Sequence, residues 1–227
     1  MKKIHFKEID STNSYAKSKI GTDEFRHGTM ITADTQTNGR GRHGKSFASK
    51  GGMYLSVMLD ARYPDYPFTM AAAVAVREAI TELCEICPQI KWVNDLFWQN
   101  KKICGILTET KIENGRASGF VCGIGVNTKN TVIPEELSDI AETIPYSNNS
   151  LLAETITKKL IFMYENNINP IEKYKEGLIL NKVVCAYKNN EFLFEGIAVD
   201  INENGNLIIN SNGKLKILNS GEISIKL

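Results

Sequence analysis

The sequence has no apolar run approaching the eighteen or so residues that a membrane-crossing helix requires. The run Phe68 to Val76 is nine residues long and stops at Arg77-Glu78. The opening Met-Lys-Lys-Ile-His-Phe-Lys alternates charge with single hydrophobes, which excludes a signal-peptide core there. Cysteine is scarce: five residues, an odd number without framework spacing, exclude a disulfide scaffold and suit a reducing compartment. Of three histidines only His43 sits among suggestive neighbours, and none has an obvious Ser or Cys partner, which argues against a triad hydrolase. Net charge is nearly absent too. With 27 basic and 26 acidic side chains the balance is +1, unlike a dedicated nucleic-acid binder or a polybasic membrane protein. There is no internal repeat and no low-complexity segment. A cytoplasmic protein with neither DNA nor membrane as partner is the expectation.

What is present is ample for a core. A chain of 227 residues, 42% hydrophobic and 23% charged, is not a disordered protein, and it can form one larger domain or a main domain with a small appendage. The near-neutral total conceals two opposed stretches. Thr35 to Leu59 contains no acid but has Arg40, Arg42, Lys45 and Lys50, whereas Asn130 to Thr157 contains no base but has five acids. The first reads either as a solvated face or as a stretch that meets an anion.

Alternation predicts strands over 3–9, 29–35 and 53–59, with Asp10-Ser11-Thr12-Asn13 capping a helix to about Ile20. Ala73, Val76, Ile80, Leu83, Cys84 and Cys87 recur at helical steps and predict a helix over 68–87 with both cysteines on its apolar stripe. That placement makes Cys84 and Cys87 core residues rather than metal ligands. Residues 90–121 read as a meander with turns at Gln99-Asn100 and Asn114-Gly115, running on into a strand over 119–126. Helices are expected over about 150–164 and 170–178. After Asn181 five short strand-like runs are separated by turn signals, among them Asn204-Gly205 and Asn212-Gly213, suggesting a small barrel.

Four motifs carry polar chemistry. Gly39-Arg40-Gly41-Arg42-His43-Gly44 has the form of a dinucleotide fingerprint, but the residues that follow are poor helix material. Its glycines permit close backbone approach and its arginines can fork onto phosphate or carboxylate; an ordinary basic surface loop is the plainer alternative. Lys91-Trp92-Val93-Asn94-Asp95 offers a point charge, an amide and a carboxylate, suited to a triphosphate with Mg²⁺ or simply to a β-turn over a core tryptophan. Lys102 lies seven residues past Asp95, so a hairpin with its turn near Asn100 returns it towards Asp95, and only one of Lys101 and Lys102 can point inward. Gly123-Ile124-Gly125-Val126-Asn127 strips side chains from one strand face, leaving room for a ligand or for a close neighbour.

In order and spacing these segments, together with Phe194-Glu195-Gly196-Ile197-Ala198 and Gly221-Glu222-Ile223-Ser224, resemble the biotin protein ligases over essentially the whole chain. The resemblance implies an α+β fold: a mixed or antiparallel sheet flanked by helices, of the class II synthetase-like biotin/lipoate ligase type, with a small C-terminal SH3-like β-barrel. It implies a catalytic domain over 1–180 and the small domain over 181–227. The implied activity is ATP-dependent: biotin and MgATP give biotinyl-5′-AMP, and the acyl group passes to a lysine of a biotin carboxyl carrier domain. Lipoate or octanoate protein ligase is the nearest alternative.

By position, Ser11, Thr12, Asn13 and Gln36 match contacts to the biotin head group, and Gly39, Arg40 and Gly41 match the cradle around it. Gly105, Gly123 and Gly125 match the lining of its tail. Lys102, Arg42 and Asp95 match the reaction centre, with Asp95 tied to Mg²⁺. Arg42, Phe47, Lys91, Asn94 and Asn127 match nucleotide-side positions. ATP, Mg²⁺ and biotin are thus substrates, with no tightly bound cofactor. Val93 stands where the family has proline and Phe47 where tryptophan is expected. Because Ser11-Thr12-Asn13 falls so early, the short form without a DNA-binding head is expected. A homodimer is compatible with the resemblance, without an interface legible in the sequence.

Overall fold

The computed structural model describes residues 1–42, 50–188, 191–219 and 223–226, and Phe47 and His43 therefore lie outside the described residues. Seven strands form the main sheet: β1 (Lys3–Ile9), β2 (Met30–Gln36), β3 (Met53–Leu59), β4 (Gln89–Lys91), β5 (Asp95–Trp98), β6 (Lys101–Glu113) and β7 (Arg116–Val126). Their order is β1-β2-β3-β7-β6-β5-β4. Only β1 and β2 run parallel; every other pair is antiparallel, so the sheet is mixed. Two-residue loops join β5 to β6 and β6 to β7, and their central residues Gln99, Asn100, Asn114 and Gly115 all have positive φ. That is the geometry whose twist matches the flanking strands, and the reason Asn and Gly stand there.

The two faces of the sheet are covered unequally. Helices α2 (Phe68–Cys84) and α3 (Asn149–Glu165) lie over one face, where Leu55, Val57, Ile106, Cys122 and Ile124 join their apolar stripes in the main core. The short α1 (Thr12–Lys19) covers part of the other face, with Ala16 and Ile20 buried against Ile31, Met58 and Val121. The β3 strand is consequently buried on both sides. α2 ends at Cys84, earlier than periodicity predicts, because Glu85 takes a left-handed C-cap (φ 56°) and Pro88 follows. Cys87 is therefore exposed rather than core, with the Arg77 guanidinium donating to its Sγ at 3.1 Å. Cys84 is half-buried.

After α4 (Ile171–Gly177) the chain pairs once more with the main sheet, Ile179 N–H donating to Ile90 O, and then enters the second sheet. This holds β8 (Val183–Lys188), β9 (Glu191–Ile201), β10 (Leu207–Ser211), β11 (Lys214–Leu218) and β12 (Ile223–Lys226), all antiparallel, in the order β11-β10-β9-β8-β12. All five strands fall where turn spacing places them. Among the described residues the sheet stays open, with β11 and β12 as its outer strands, so it is SH3-like without closing as a barrel. Its β9–β10 turn docks on the main domain: the Trp92 indole N–H donates to Gly205 O at 3.0 Å, and Met70 fills the space a Gly205 side chain would need. Lys175 pairs with Asp200 at 3.1 Å. No helix among the described residues is long and apolar enough to cross a membrane.

Tyr174, fully buried on α4, donates its hydroxyl to Val93 O at 3.0 Å and so ties that helix to the segment before Asp95. Tyr174→Phe leaves a buried carbonyl without a donor, and urea denaturation should show a loss of about 1–2 kcal/mol.

Candidate active site

The α1 face of the sheet carries the site, and strand register defines it. One row across the sheet reads Asp95, Gly105, Gly125, Tyr54. The adjacent row on the same face, about 7 Å further along the strands, reads Leu107, Gly123, Ser56, Ile31. Three glycines thus deny side chains to the middle of this face. At Gly123 the reason is visible: a Cβ there would stand 2.2 Å from the Asn13 side-chain oxygen. The vacated space is taken by the Asn13 amide, reaching over from the first turn of α1.

At this end the polar groups interlock. Ser11 caps α1 by accepting from Ser14 N–H at 3.3 Å, which sets Thr12 and Asn13 on the sheet-facing side. Gln36, at the end of β2, accepts on Oε1 from Thr12 N–H (2.8 Å) and approaches Thr12 Oγ1 (3.0 Å). Asn13 donates its amide to Leu107 O (3.2 Å) and to Glu109 (3.0 Å), and Lys17 pairs with the other Glu109 oxygen at 3.0 Å. Ser56, fully buried, lies 2.6 Å from Asn13 Oδ1 and 2.8 Å from Thr12 Oγ1. The basic loop leaves from the same place, because Thr37 and Asn38 N–H groups donate to Ile9 O and Asp10 O. Gly39 is buried, Gly41 and Arg42 are half-buried, and Arg40 is exposed.

The other end is charged. The Lys102 ammonium meets Asp95 at 2.7 Å, as the hairpin reading requires, while Lys101 points away and donates to Ser138 O. The Lys102 backbone is clamped on both sides, its N–H on Ile140 O and its carbonyl on Glu142 N–H, so the acidic stretch flanks this strand. Asn94 accepts from Arg42 Nη1 at 3.3 Å and donates to Ile106 O at 2.9 Å. The Asn127 amide faces Lys102 O at 3.4 Å. Burial pulls the Arg42 guanidinium below its ordinary value, opposed by the Asp95 charge. Burial, then Asp95, push the Tyr174 hydroxyl up. Lys91 stands over the Phe97 ring, 5.3 Å from its centroid. The Trp92–Val93 peptide is cis.

A cationic end and a hydrogen-bonding end thus lie on one face of the sheet, with Gly105 and Gly125 between them. Residues 5–127 match the model of the Biotin/lipoate A/B protein ligase family, and residues 183–226 match the Biotin protein ligase C terminal domain. The chain belongs to the biotin/lipoate A/B protein ligase family.

Among curated members, the chain is 28% identical to the bifunctional ligase/repressor BirA of Bacillus spizizenii, over 90% of this chain and 68% of that one. It is 27% identical to the biotin–[acetyl-CoA-carboxylase] ligase of Mycobacterium tuberculosis, over 89% of this chain and 80% of that one. Among solved structures, the Aquifex aeolicus biotin protein ligase in complex with biotin and ATP superposes with a TM-score of 0.81 at 28% identity, covering 99% of this chain and 98% of that one.

Set against this family membership, most residues singled out in the sequence come together: Ser11, Thr12, Asn13, Gln36 and Gly123 at one end, Arg42, Asn94, Asp95, Lys102 and Asn127 at the other, Gly105 and Gly125 between them. Phe47 lies outside the described residues. Sequence reasoning missed Ser56, Glu109 and Lys17. Ser56 had a legible signal, a lone serine in the otherwise aliphatic and aromatic Met53–Leu59 strand; Glu109 and Lys17 had none, lying ninety-two positions apart.

Gly123→Ala forces Asn13 out of its place and should cost about 1–3 kcal/mol in urea denaturation. The double variant with Asn13→Ala removes the clash, so its loss should fall short of the sum of the two single losses.

Proposed function

We propose that this chain is an ATP-dependent biotin–protein ligase that makes biotinyl-5′-AMP and transfers the biotinyl group to a lysine of a biotin carboxyl carrier domain. One observation carries the reading: a neutral hydrogen-bonding cluster around Thr12, Gln36 and Asn13 and a cationic end at Arg42 and Lys102 flank the same glycine strip. The ring of biotin has a urea to satisfy at the first, and its carboxylate would lie at the second. In this assignment residues 1–180 form the catalytic unit and 181–227 the small appended domain.

In the first step a carboxylate oxygen bonds to the α-phosphorus, and the bond from phosphorus to the β-phosphate oxygen breaks, releasing pyrophosphate. Both reactants are anions, so attack needs their repulsion offset. Lys102, between the carboxylate and the α-phosphate, supplies that charge, and Arg42 supplies a second from the loop. Asp95 holds Lys102 in place until the substrates arrive. Magnesium enters with ATP as part of the substrate, and Asp95 would be the carboxylate that offers it an anionic oxygen. In the second step the amine of the carrier lysine attacks the carbonyl carbon, the carbon–oxygen bond to AMP breaks, and an amide remains. Water would hydrolyse the mixed anhydride, so it has to be shielded until the carrier lysine arrives. Asn94 and Asn127, with Lys91, lie on the nucleotide side.

ATP–pyrophosphate exchange run in parallel with biotin, lipoate and octanoate tests the assignment. Exchange should depend on biotin alone; exchange driven by lipoate or octanoate would move the chain to the other branch of its family. Lys102→Ala should lower biotin-dependent exchange by at least about 10²–10³-fold with an unchanged circular dichroism spectrum.

A further inference from the structure

Beneath the head-group contacts lies a second layer to which no role is assigned. Ser56 has one hydroxyl proton and two oxygens within reach, Asn13 Oδ1 at 2.6 Å and Thr12 Oγ1 at 2.8 Å. The amide oxygen can only accept, so the assignment turns on which way the Asn13 amide faces. Glu109 settles that. Its carboxylate, held by Lys17 at 3.0 Å, accepts from Asn13 Nδ2, as does Leu107 O. A flipped amide would set its oxygen against a carboxylate and a carbonyl and its NH₂ against Ser56. The oxygen must therefore face Ser56, which gives it the Ser56 proton. The Thr12 hydroxyl then gives its own proton inward, to Gln36 Oε1 at 3.0 Å or to Ser56 Oγ at 2.8 Å, and Gln36 Oε1 accepts from Thr12 N–H at 2.8 Å in either case.

Either placement of the Thr12 proton gives the outer surface of the cluster the same polarity. Thr12 Oγ1 presents lone pairs, hence an acceptor. Gln36 has its oxygen engaged and presents its NH₂, hence a donor. A cyclic urea offers the complements of both, an N–H and a carbonyl; a dithiolane ring and an alkyl end offer neither.

We infer that Ser56 and Glu109 are positioning residues that set this polarity through Asn13 and Thr12, and so make the pocket select a ureido ring. The inference rests on the biotin reading above. Neither residue is assigned a contact with the reacting atoms. Ser56→Ala deprives Asn13 Oδ1 of its donor and removes the hydroxyl that stands 2.8 Å from Thr12 Oγ1. Glu109→Gln lets the second amide turn and removes the stronger of the two bars to flipping Asn13, leaving only Leu107 O.

The experiment measures biotin-dependent pyrophosphate exchange for the wild-type chain, Ser56→Ala, Glu109→Gln and Glu109→Asp. Ser56→Ala and Glu109→Gln should both raise KM for biotin, Ser56→Ala by about tenfold or more, with kcat and KM for ATP within about twofold. Desthiobiotin, which keeps the urea but lacks the thioether ring, should show the same rise. Glu109→Asp, which keeps the charge, should recover part of the loss. A purely structural role would instead lower kcat and affinity for ATP together. If the wild-type chain shows no exchange with biotin, the functional reading fails first. If the wild type is active but KM for biotin is unchanged in Glu109→Gln, this inference is overturned, whether or not Ser56→Ala folds.

Discussion

A strip of sheet without side chains is the constraint on which everything else in this molecule depends. Gly105 and Gly125 face each other across β6 and β7, with Gly123 one step along the same face. A face this bare loses packing that an ordinary strand would supply. The structure offsets the loss from the opposite side, where α2 and α3 bury Leu55, Val57, Ile106, Cys122 and Ile124 under two helices of 17 residues each. One face of the sheet holds the fold, and the other carries the polar groups of the site. The eight-residue α1 fits this division: it covers the Ile31, Met58 and Val121 end and reaches the glycine strip at Gly123 through Asn13.

Charge is distributed with the same economy. The near-neutral total of the chain says nothing of the site, where Arg42 and Lys102 converge and Asp95 is the carboxylate between them. The acidic stretch that balances them in the sum flanks the backbone of Lys102 at Ile140 and Glu142, while the Glu142 carboxylate turns to its own neighbour, Thr143 N–H. Backbone clamping of this sort fixes where a lysine stem starts, without neutralising its head. Two small anions held side by side need that arrangement more than a broad positive surface does.

How much of this could be read from the sequence follows from the range of the interactions involved. Hairpin turns are local, so Gln99-Asn100, Asn114-Gly115 and Asn212-Gly213 were legible, and with them the return of Lys102 to Asp95. The N-cap at Ser11 was legible for the same reason. The end of α2 was not, because the stripe of Leu83, Cys84 and Cys87 continues in sequence while Glu85 has already left the helix. At Gly123 the sequence left open whether a ligand or a neighbour filled the gap; the answer, Asn13, depends on how α1 crosses the sheet. Glu109 joins Asn13 and Lys17 from ninety-odd positions away, and no spacing rule reaches that far. The strand spacing after Asn181 was legible in full, but whether five strands close a barrel or stay open is decided by curvature, which turn residues do not encode.

The contact of Trp92 with Gly205 gives the small sheet a second meaning. Trp92 stands two residues before Asn94 and three before Asp95, and its indole N–H finds its acceptor in a turn more than a hundred positions later. A chain cut after residue 180 would keep every side chain named in the site, yet it would lose the carbonyl on which the Trp92 end of that segment is hung. The division of labour between the two sheets is therefore one of parts and alignment. The first owns the reacting groups, and the second owns part of the angle at which two of them are held.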